Sequence, residues 1–163
     1  MATPKQRNYA LFLGLSIAFG LVFAVLPLTQ DFSYLRPELL CLLVIFWVMN
    51  SPEQLGMTFG FLVGLLQDVV ELGVWGGHAM ALTIIAYICL MSYQRIRSYS
   101  VWHQSLWVFI LVGVHQVVVN WVQGIAGYRT PAHYLVLPTL MTALCWPLVV
   151  FFFLRIRHLY RTQ

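Results

Sequence analysis

The most informative part of the sequence reads GMTFGFLVGLLQD and covers residues 56–68. Gly56, Gly60 and Gly64 recur every four residues, and Asp68 continues the series. Because a helix repeats about every 3.6 residues, these four positions form one slowly drifting stripe. In lipid, small residues at this spacing let two helix backbones approach closely. The stripe therefore predicts either packing within the chain's own helix bundle or a docking face for a partner helix.

Acidic side chains end this stripe, with Asp68 followed by Glu71 three residues later. A carboxylate at mid-membrane costs about 2.5–3.5 kcal/mol on insertion scales. Asp68 comes at the far end of its apolar run, so we expect it near the outer surface, where this cost is lower. It is either a boundary carboxylate or a group that makes an interhelical hydrogen bond, a salt bridge or a partner contact. Arg36, predicted at the same surface, is the candidate cation.

The composition places the chain in a membrane. Of its 163 residues, 61% are hydrophobic and 9% are charged, against roughly 25% charged in a soluble domain. A soluble fold of this size buries only about two-thirds of its unfolded surface, so it could not hide so much apolar area. Cys41, Cys89 and Cys145 each lie in an apolar run without a CxxC pair, which predicts buried thiols and neither a zinc site nor a disulfide.

The apolar runs predict an all-α integral membrane protein, a six-helix transmembrane bundle that forms a single domain over residues 1–163. The first run is long for a signal peptide and lacks an A-x-A-like cleavage site, so we expect it to remain as a span. The second and third runs are short and are separated by Asn50-Ser51-Pro52-Glu53, which reads as a turn. The predicted spans are 9–28, 38–50, 55–71, 79–93, 104–122 and 134–154.

The positions of the basic residues predict the orientation. Six spans with the N-terminus in the cytoplasm leave only Arg36 and Arg129 outside, so seven of the nine Lys and Arg residues lie inside. One long helix over residues 39–66 would give at best six against three. A re-entrant hairpin between residues 38 and 72 is the alternative, and it requires protein to shield the two short helices. The cytoplasmic set is Lys5, Arg7, Arg95, Arg97, Arg155, Arg157 and Arg161.

The fifth span carries a polar face. Gly113, Gln116, Asn120 and Gln123 are spaced by three, four and three residues, and His115 lies about 100° away around the helix. An unsatisfied amide in hydrocarbon costs several kcal/mol, so these groups must face protein or water. The face predicts hydrogen bonds between helices or, alternatively, a substrate cavity.

The sequence contains little that indicates catalysis. It shows no nucleophile–base set, no phosphate-binding loop and no aspartate-rich metal motif. The histidines other than His115 are not expected to converge at one depth, so neither a haem nor a metal site is predicted. The basic residues form no nucleic-acid groove. We therefore predict a protein that is not an enzyme, has no cofactor and binds no nucleic acid. In the last span, Pro147 is expected to kink the helix by removing a backbone donor.

Several of these segments together resemble one known family. GFLVGLLQD at residues 60–68, Gly76 and IIAY at residues 84–87 are similar to the core of the rod-shape-determining MreD family. The similarity extends to Arg36-Pro37, to Trp146-Pro147 and to the basic C-terminal tail, and so covers essentially the whole chain. One position departs from the pattern. The family often has a glycine four residues after the aspartate, where this chain has Leu72, followed by Gly73.

The resemblance implies a non-enzymatic, multi-pass protein of the bacterial inner membrane that acts in cell elongation and peptidoglycan synthesis. The partner that it implies is an MreC-like single-span protein. Indirect partners would be an MreB-like actin, a transpeptidase and a SEDS-type glycosyltransferase, with membrane lipid around the bundle. The family is also thought to share the six-helix architecture of the substrate-binding subunits of energy-coupling-factor transporters. A vitamin-type transporter subunit is therefore the alternative.

Overall fold

The computed structural model describes residues 4–26, 36–128 and 133–161, and all of its regular elements are α-helices. This confirms the all-α prediction for the described residues. Each helix overlaps one of the six apolar runs in the sequence, and a turn at Ser51–Leu55 separates the two short helices. The helices are α1 Pro4–Val25, α2 Leu39–Asn50, α3 Met57–Glu71, α4 Gly77–Ser98, α5 Val101–Ile125 and α6 His133–Arg161.

Three helical segments in the described part of the chain are long and apolar enough to cross a membrane: Gly77–Ser98, Val101–Ile125 and Leu135–Phe153. Tyr9–Val25 and Leu39–Asn50 are apolar but shorter. These lengths and compositions fit a membrane protein. The six-span arrangement and the re-entrant hairpin both contain the turn between α2 and α3, so the path of the chain across the bilayer stays a prediction.

The shortest helix, α2, lies at the centre of the bundle. Every residue from Leu40 to Met49 is buried, and α2 contacts all five other helices. Its side chains are apolar on every face, which suits lipid as well as a protein interior, and here they are surrounded by protein. Around it, α3 packs on α4, α4 on α5 and α5 on α6, while α1 lies against α2 and α3. The other helices thus shield a segment that is too short to span a bilayer comfortably.

Aromatic and hydroxyl groups join α1 to the C-terminal half of α2. The Tyr9 hydroxyl donates to Ser51 Oγ at 2.7 Å, and Trp47 Nε1 donates to Ser16 Oγ at 3.0 Å. The rings of Tyr9 and Trp47 meet edge to face with 5.3 Å between centroids, a favoured aromatic geometry. The ring of Phe153 in α6 packs against the rings of Phe46 and Trp47, with centroids 4.6 and 5.8 Å apart. In α6 itself, Pro138 and Pro147 both lie within one continuous helix, so the kink at Pro147 stays a prediction.

The cysteines should differ in their reactivity towards a maleimide in detergent. Cys41 and Cys89 are fully buried, whereas Cys145 is half-buried. We therefore expect Cys145 to be labelled first, and Cys41 and Cys89 to react only after denaturation. Mass spectrometry of the labelled peptides would measure this, and a Cys145→Ser variant provides the control. Rapid labelling of Cys41 in the folded protein would contradict the central position of α2.

Leu72, the position that departs from the family pattern, ends α3 in an unusual conformation. Its φ of 52° and ψ of 30° lie in the left-handed region, where glycine is favoured. In the described residues it is the one non-glycine residue with positive φ. This chain therefore has a leucine at a position whose backbone conformation favours glycine.

Replacing Leu72 with glycine should stabilise the protein. The left-handed conformation costs a side-chain-bearing residue about 1–2 kcal/mol, and Leu72 is 90% exposed, so its side chain contributes little packing. We expect the Leu72→Gly variant to gain about 1 kcal/mol after the extra backbone entropy of glycine is subtracted. Thermal unfolding in detergent would measure the change. Gly73→Ala, where an added Cβ meets nothing within 4 Å, is the control and should have little effect.

Candidate functional site

Asp68 forms the N-terminal cap of the neighbouring helix α4. The residue at the N-cap position of α4 is Gly76, which has no side chain to supply an acceptor. The Asp68 carboxylate takes this role, since it accepts hydrogen bonds from the backbone N–H groups of Gly76, His78 and Ala79 at 2.9, 2.9 and 3.2 Å. Asp68 is completely buried. An anion at this end also complements the helix dipole.

The glycine stripe brings α3 close enough for this cap. A Cβ on Gly64 would lie 2.5 Å from Ala79 Cα and 2.5 Å from the His78 carbonyl oxygen. A Cβ on Gly60 would lie 2.6 Å from the carbonyl oxygen of Leu82. Gly56 differs, because its nearest contact would be a leucine methyl at 3.7 Å. At Gly60, Gly64 and Asp68 the stripe is thus covered by α4 of the same chain, and these residues present no surface to another helix.

His78 links the two carboxylates of α3. Its Nδ1 lies 2.9 Å from Asp68 Oδ1, and its Nε2 lies 3.6 Å from Glu71 Oε2. Glu71 Oε1 in turn accepts a hydrogen bond from Gln67 Nε2 at 2.9 Å. Sequence reasoning missed this pairing, because it considered only the depth of each histidine. The short connection between α3 and α4 could have indicated this pairing. It reverses the direction of the chain, so that His78 lies beside Asp68.

Arg36 does not pair with Asp68. Its guanidinium donates to the Phe23 carbonyl oxygen at the end of α1, and lies 5.6 Å from the centroid of the Phe23 ring. The interaction with the ring is a cation–π contact. Arg36 therefore joins the segment before α2 to α1, while the backbone amides of α4 and His78 surround the Asp68 carboxylate.

Glu38, just before the first residue of α2, connects this helix to α5 and α6. Its backbone N–H donates to Thr142 Oγ1 of α6 at 2.8 Å, and its Oε1 accepts a hydrogen bond from Gln116 Nε2 of α5 at 3.0 Å. The polar face predicted on α5 is thus engaged at Gln116 by another helix. Asn120 and Gln123 are half-buried further along the same face. The partners of Glu38 were not visible in the sequence.

His115 is the buried histidine of α5 and packs beside His78. The centroids of the two rings are 5.8 Å apart, and His115 is 1% exposed. Neither of its ring nitrogens has a hydrogen-bond partner among the described residues. One ring nitrogen of a neutral imidazole carries a proton, so an unpaired donor lies in the interior. Such a group destabilises a fold by about 1–3 kcal/mol.

Replacing His115 with leucine should therefore raise the stability. We expect a gain of about 1–2 kcal/mol, because an apolar side chain of similar size removes the unpaired ring nitrogens. Thermal unfolding of the detergent-purified variant measures this. Gln116→Leu is the matched control on the next residue and should destabilise, since it leaves Glu38 without its donor. A loss of stability in His115→Leu would indicate that the ring nitrogens have a partner.

The Asp68–His78 pair is suited to capping and not to catalysis. A general base needs access to the proton that it abstracts. Both oxygens of Asp68 are already hydrogen-bonded to α4, and the carboxylate is closed off from solvent. Within residues 4–26, 36–128 and 133–161, no group of three His, Cys, Asp or Glu side chains is placed to hold a metal ion. The arrangement is one of internal polar links between helices.

Comparison with known proteins places the chain in a family. The family described as rod shape-determining protein MreD matches residues 5–157. The rod shape-determining protein MreD of Haemophilus influenzae is 30% identical over 142 residues, which cover 87% of this chain and 86% of that protein. No solved structure matches. With nearly the whole chain matched, this protein belongs to the MreD family of rod shape-determining proteins.

Proposed function

We propose that this chain is a non-enzymatic scaffold of the bacterial inner membrane that helps to maintain cell shape during peptidoglycan synthesis. The family implies a role in cell shape, and the match over residues 5–157 is the observation that carries the proposal. The described polar groups support it, because Asp68 and Glu38 are engaged in links between helices. A bundle held together in this way is suited to presenting a fixed surface in the membrane.

The proposed topology has six spans, with both ends of the chain in the cytoplasm. Its support is the distribution of Lys and Arg over the sequence. Reporter fusions in the turn at Ser51–Leu55, after residue 100 and at the C-terminus test it, and all three should be active on the cytoplasmic side. A periplasmic signal from any of them, or no cytoplasmic signal from the fusion in the turn, would contradict six spans.

The proposed direct partner is an MreC-like single-span protein, with an MreB-like actin, a transpeptidase and a SEDS-type glycosyltransferase as indirect partners. Because α4 covers the glycine stripe at Gly60 and Gly64, the partner helix is expected on the outside of the bundle. Without a hydrophobic driving force in lipid, close packing would provide the affinity. We therefore expect the complex to survive detergent extraction but to be sensitive to the choice of detergent.

Depletion in a rod-shaped host is the decisive experiment. Loss of the chain should make the cells round, and the tagged protein should co-purify with the MreC-like partner. A multi-pass protein with the same tag is the control for non-specific capture. Normal rods after depletion, together with no partner in the eluate, would refute the scaffold. A thermal-shift screen with vitamins completes the test, because a stabilising vitamin would favour the transporter-subunit alternative.

A further inference from the structure

The connection between α3 and α4 carries two large apolar side chains on its surface. Residues 72–76 read LGVWG, and we call this segment the apolar turn. It contains no charged residue, and the indole N–H of Trp75 is its one hydrogen-bonding side-chain group. Leu72 is 90% exposed and Trp75 is 74% exposed. In turns that face water, the residues other than glycine and proline are mostly Asn, Asp and Ser. The composition of the apolar turn therefore does not suit an aqueous surface.

The backbone of the apolar turn holds these side chains on the outside of the bundle. Leu72 has the left-handed conformation described above, which a leucine adopts only at a cost in free energy. The backbone N–H of Gly76 donates to Asp68 at 2.9 Å, and that of Gly77 donates to the Val74 carbonyl oxygen at 3.1 Å. A strained conformation that gives its side chain little packing within the chain points to a contact outside the chain.

The apolar turn continues an exposed apolar face of α3. Leu62, Leu66 and Val69 are 58%, 49% and 45% exposed, and their spacings of four and three residues place them on one side of the helix. Leu72 follows Val69 at a spacing of three residues. In a bilayer, a face of this kind meets acyl chains. The exposed leucine of the turn thus lies at the end of a row that suits lipid.

The charge next to the apolar turn in the sequence has partners within the chain. Glu71 precedes Leu72, and its two carboxylate oxygens lie 2.9 Å from Gln67 Nε2 and 3.6 Å from His78 Nε2. Its side chain is 30% exposed. Because these contacts satisfy part of its hydrogen-bonding capacity, the carboxylate is compatible with the headgroup region of a bilayer, where water reaches its exposed part.

The turn at the other end of α3 has the opposite character. There Glu53 and Gln54 are both exposed, and side chains of this kind require water. The 15 residues of α3 extend about 22 Å at about 1.5 Å per residue. A bilayer with its headgroup regions is about 40–45 Å thick. With Glu53 and Gln54 at one water surface, α3 therefore ends before it has passed through the opposite headgroup region.

We propose that the apolar turn lies in the bilayer, with Leu72 in contact with acyl chains and Trp75 at the level of the lipid headgroups. Tryptophan prefers this depth, because its ring has an apolar body and an N–H that can donate to a headgroup or to water. The headgroup region also provides water for the backbone of the turn, which hydrocarbon does not. The proposal depends on the membrane location of the chain and not on the scaffold role, which cell shape tests separately.

Single cysteines in lipid nanodiscs test the depth of the turn. Leu72→Cys and Trp75→Cys are made in a Cys145→Ser background, in which the two remaining cysteines are fully buried. Glu53→Cys in the polar turn is the matched control, and the background protein measures labelling of the buried cysteines. Nanodiscs leave both faces of the bilayer open to reagents, so the orientation of the chain does not affect the result.

The readout is the rate of reaction with a charged maleimide. Maleimides react with the thiolate, and an apolar environment suppresses its formation. The Leu72→Cys protein should therefore be labelled about tenfold more slowly than the Glu53→Cys protein, which corresponds to one unit of thiol pKa. The rate for Trp75→Cys should lie between these two. Circular dichroism verifies that each protein is folded, and the exposure of both side chains makes either change compatible with folding.

Fluorescence quenching identifies what covers the turn. A bimane label is attached to each cysteine in detergent before reconstitution, and is then quenched by iodide in the water or by lipids brominated on their acyl chains. Brominated lipid should quench the label at position 72 more strongly than iodide does, and the order should be reversed at position 53. Labelling of Leu72→Cys as fast as that of Glu53→Cys would overturn the proposal. So would slow labelling without quenching by brominated lipid, because a second copy of the chain or another protein would then cover the turn.

Discussion

Replacing Gly64 with alanine is expected to disrupt the bundle more than any other single-methyl change. The new Cβ would lie 2.5–2.6 Å from the backbone of His78 and Ala79, and these atoms cannot rotate away as a side chain could. Overpacking of this kind typically destabilises by about 1–3 kcal/mol. We expect about 3 kcal/mol here, because α3 and α4 must separate along their contact. Thermal unfolding in detergent and rescue of cell shape in a depleted strain are the measurements.

Gly56→Ala is the matched control on the same stripe. Its Cβ would meet only a methyl group of Leu90 at 3.7 Å, an ordinary contact. Gly56 is also the N-cap residue of α3, where alanine is slightly unfavourable, so we expect a change below about 1 kcal/mol. Equal stability of the Gly56→Ala and Gly64→Ala proteins would contradict the close approach of α3 and α4. If a Gly64 variant loses partner binding, the cause is therefore damage to the helix bundle. Such a loss would not show that the glycine stripe is a docking face.

Replacing Asp68 with alanine is expected to have the second large effect. The change leaves the backbone N–H groups of Gly76, His78 and Ala79 without their acceptor. The loss of an N-cap alone costs about 1–2 kcal/mol, and each buried group left unpaired adds to this. We expect a destabilisation of about 3–4 kcal/mol. The melting temperature and the protection of α4 amides from hydrogen exchange would measure it.

Which amides lose protection from hydrogen exchange distinguishes the loss of a helix cap from a general loss of stability. Amides in the first turn of α4 should lose protection first, because the carboxylate acts on that turn. The losses of stability and of amide protection in Asp68→Asn should lie between those of the wild-type protein and Asp68→Ala. One side-chain oxygen still accepts a hydrogen bond, while the new NH₂ group faces backbone donors. Glu53→Ala removes an exposed carboxylate and should change neither quantity. Unchanged protection at the start of α4 in Asp68→Ala would contradict the capping role.

The stripe and the carboxylate form one structural unit. The absence of side chains at Gly60 and Gly64 allows the backbone of α3 to lie against α4. Only at that distance can the short side chain of Asp68 reach the first amides of α4. A glutamate at the same position would place its oxygens one bond further out and lose this geometry. The spacing of four residues thus aligns the close contact and the cap on one face.

Several features of the fold and of the site could be predicted from the sequence because they depend on local composition. The apolar runs predicted α-helices at the six positions where the described residues form them, and Ser51-Pro52 marked the turn between α2 and α3. The four-residue repeat predicted a closely packed face on α3 but left open whether a helix of this chain or of a partner covers it, and in the structure α4 lies there at Gly60 and Gly64. The polar face of α5 was expected either to form hydrogen bonds between helices or to line a cavity, and Gln116 on this face donates to Glu38.

The partners of the polar groups were decided only by the tertiary structure. Asp68 binds amides of α4 and His78, while Arg36, the expected cation, binds the end of α1. Glu38 joins α5 and α6, which are distant in the sequence. The central place of α2 was equally hidden. In lipid an apolar side chain is stable both inside the bundle and outside it, so hydropathy does not reveal which face of a helix meets protein. The sequence by itself therefore determined the helices and the face of α3 that can pack closely. Packing in three dimensions determined which helix lies in the middle and which groups each buried charge meets.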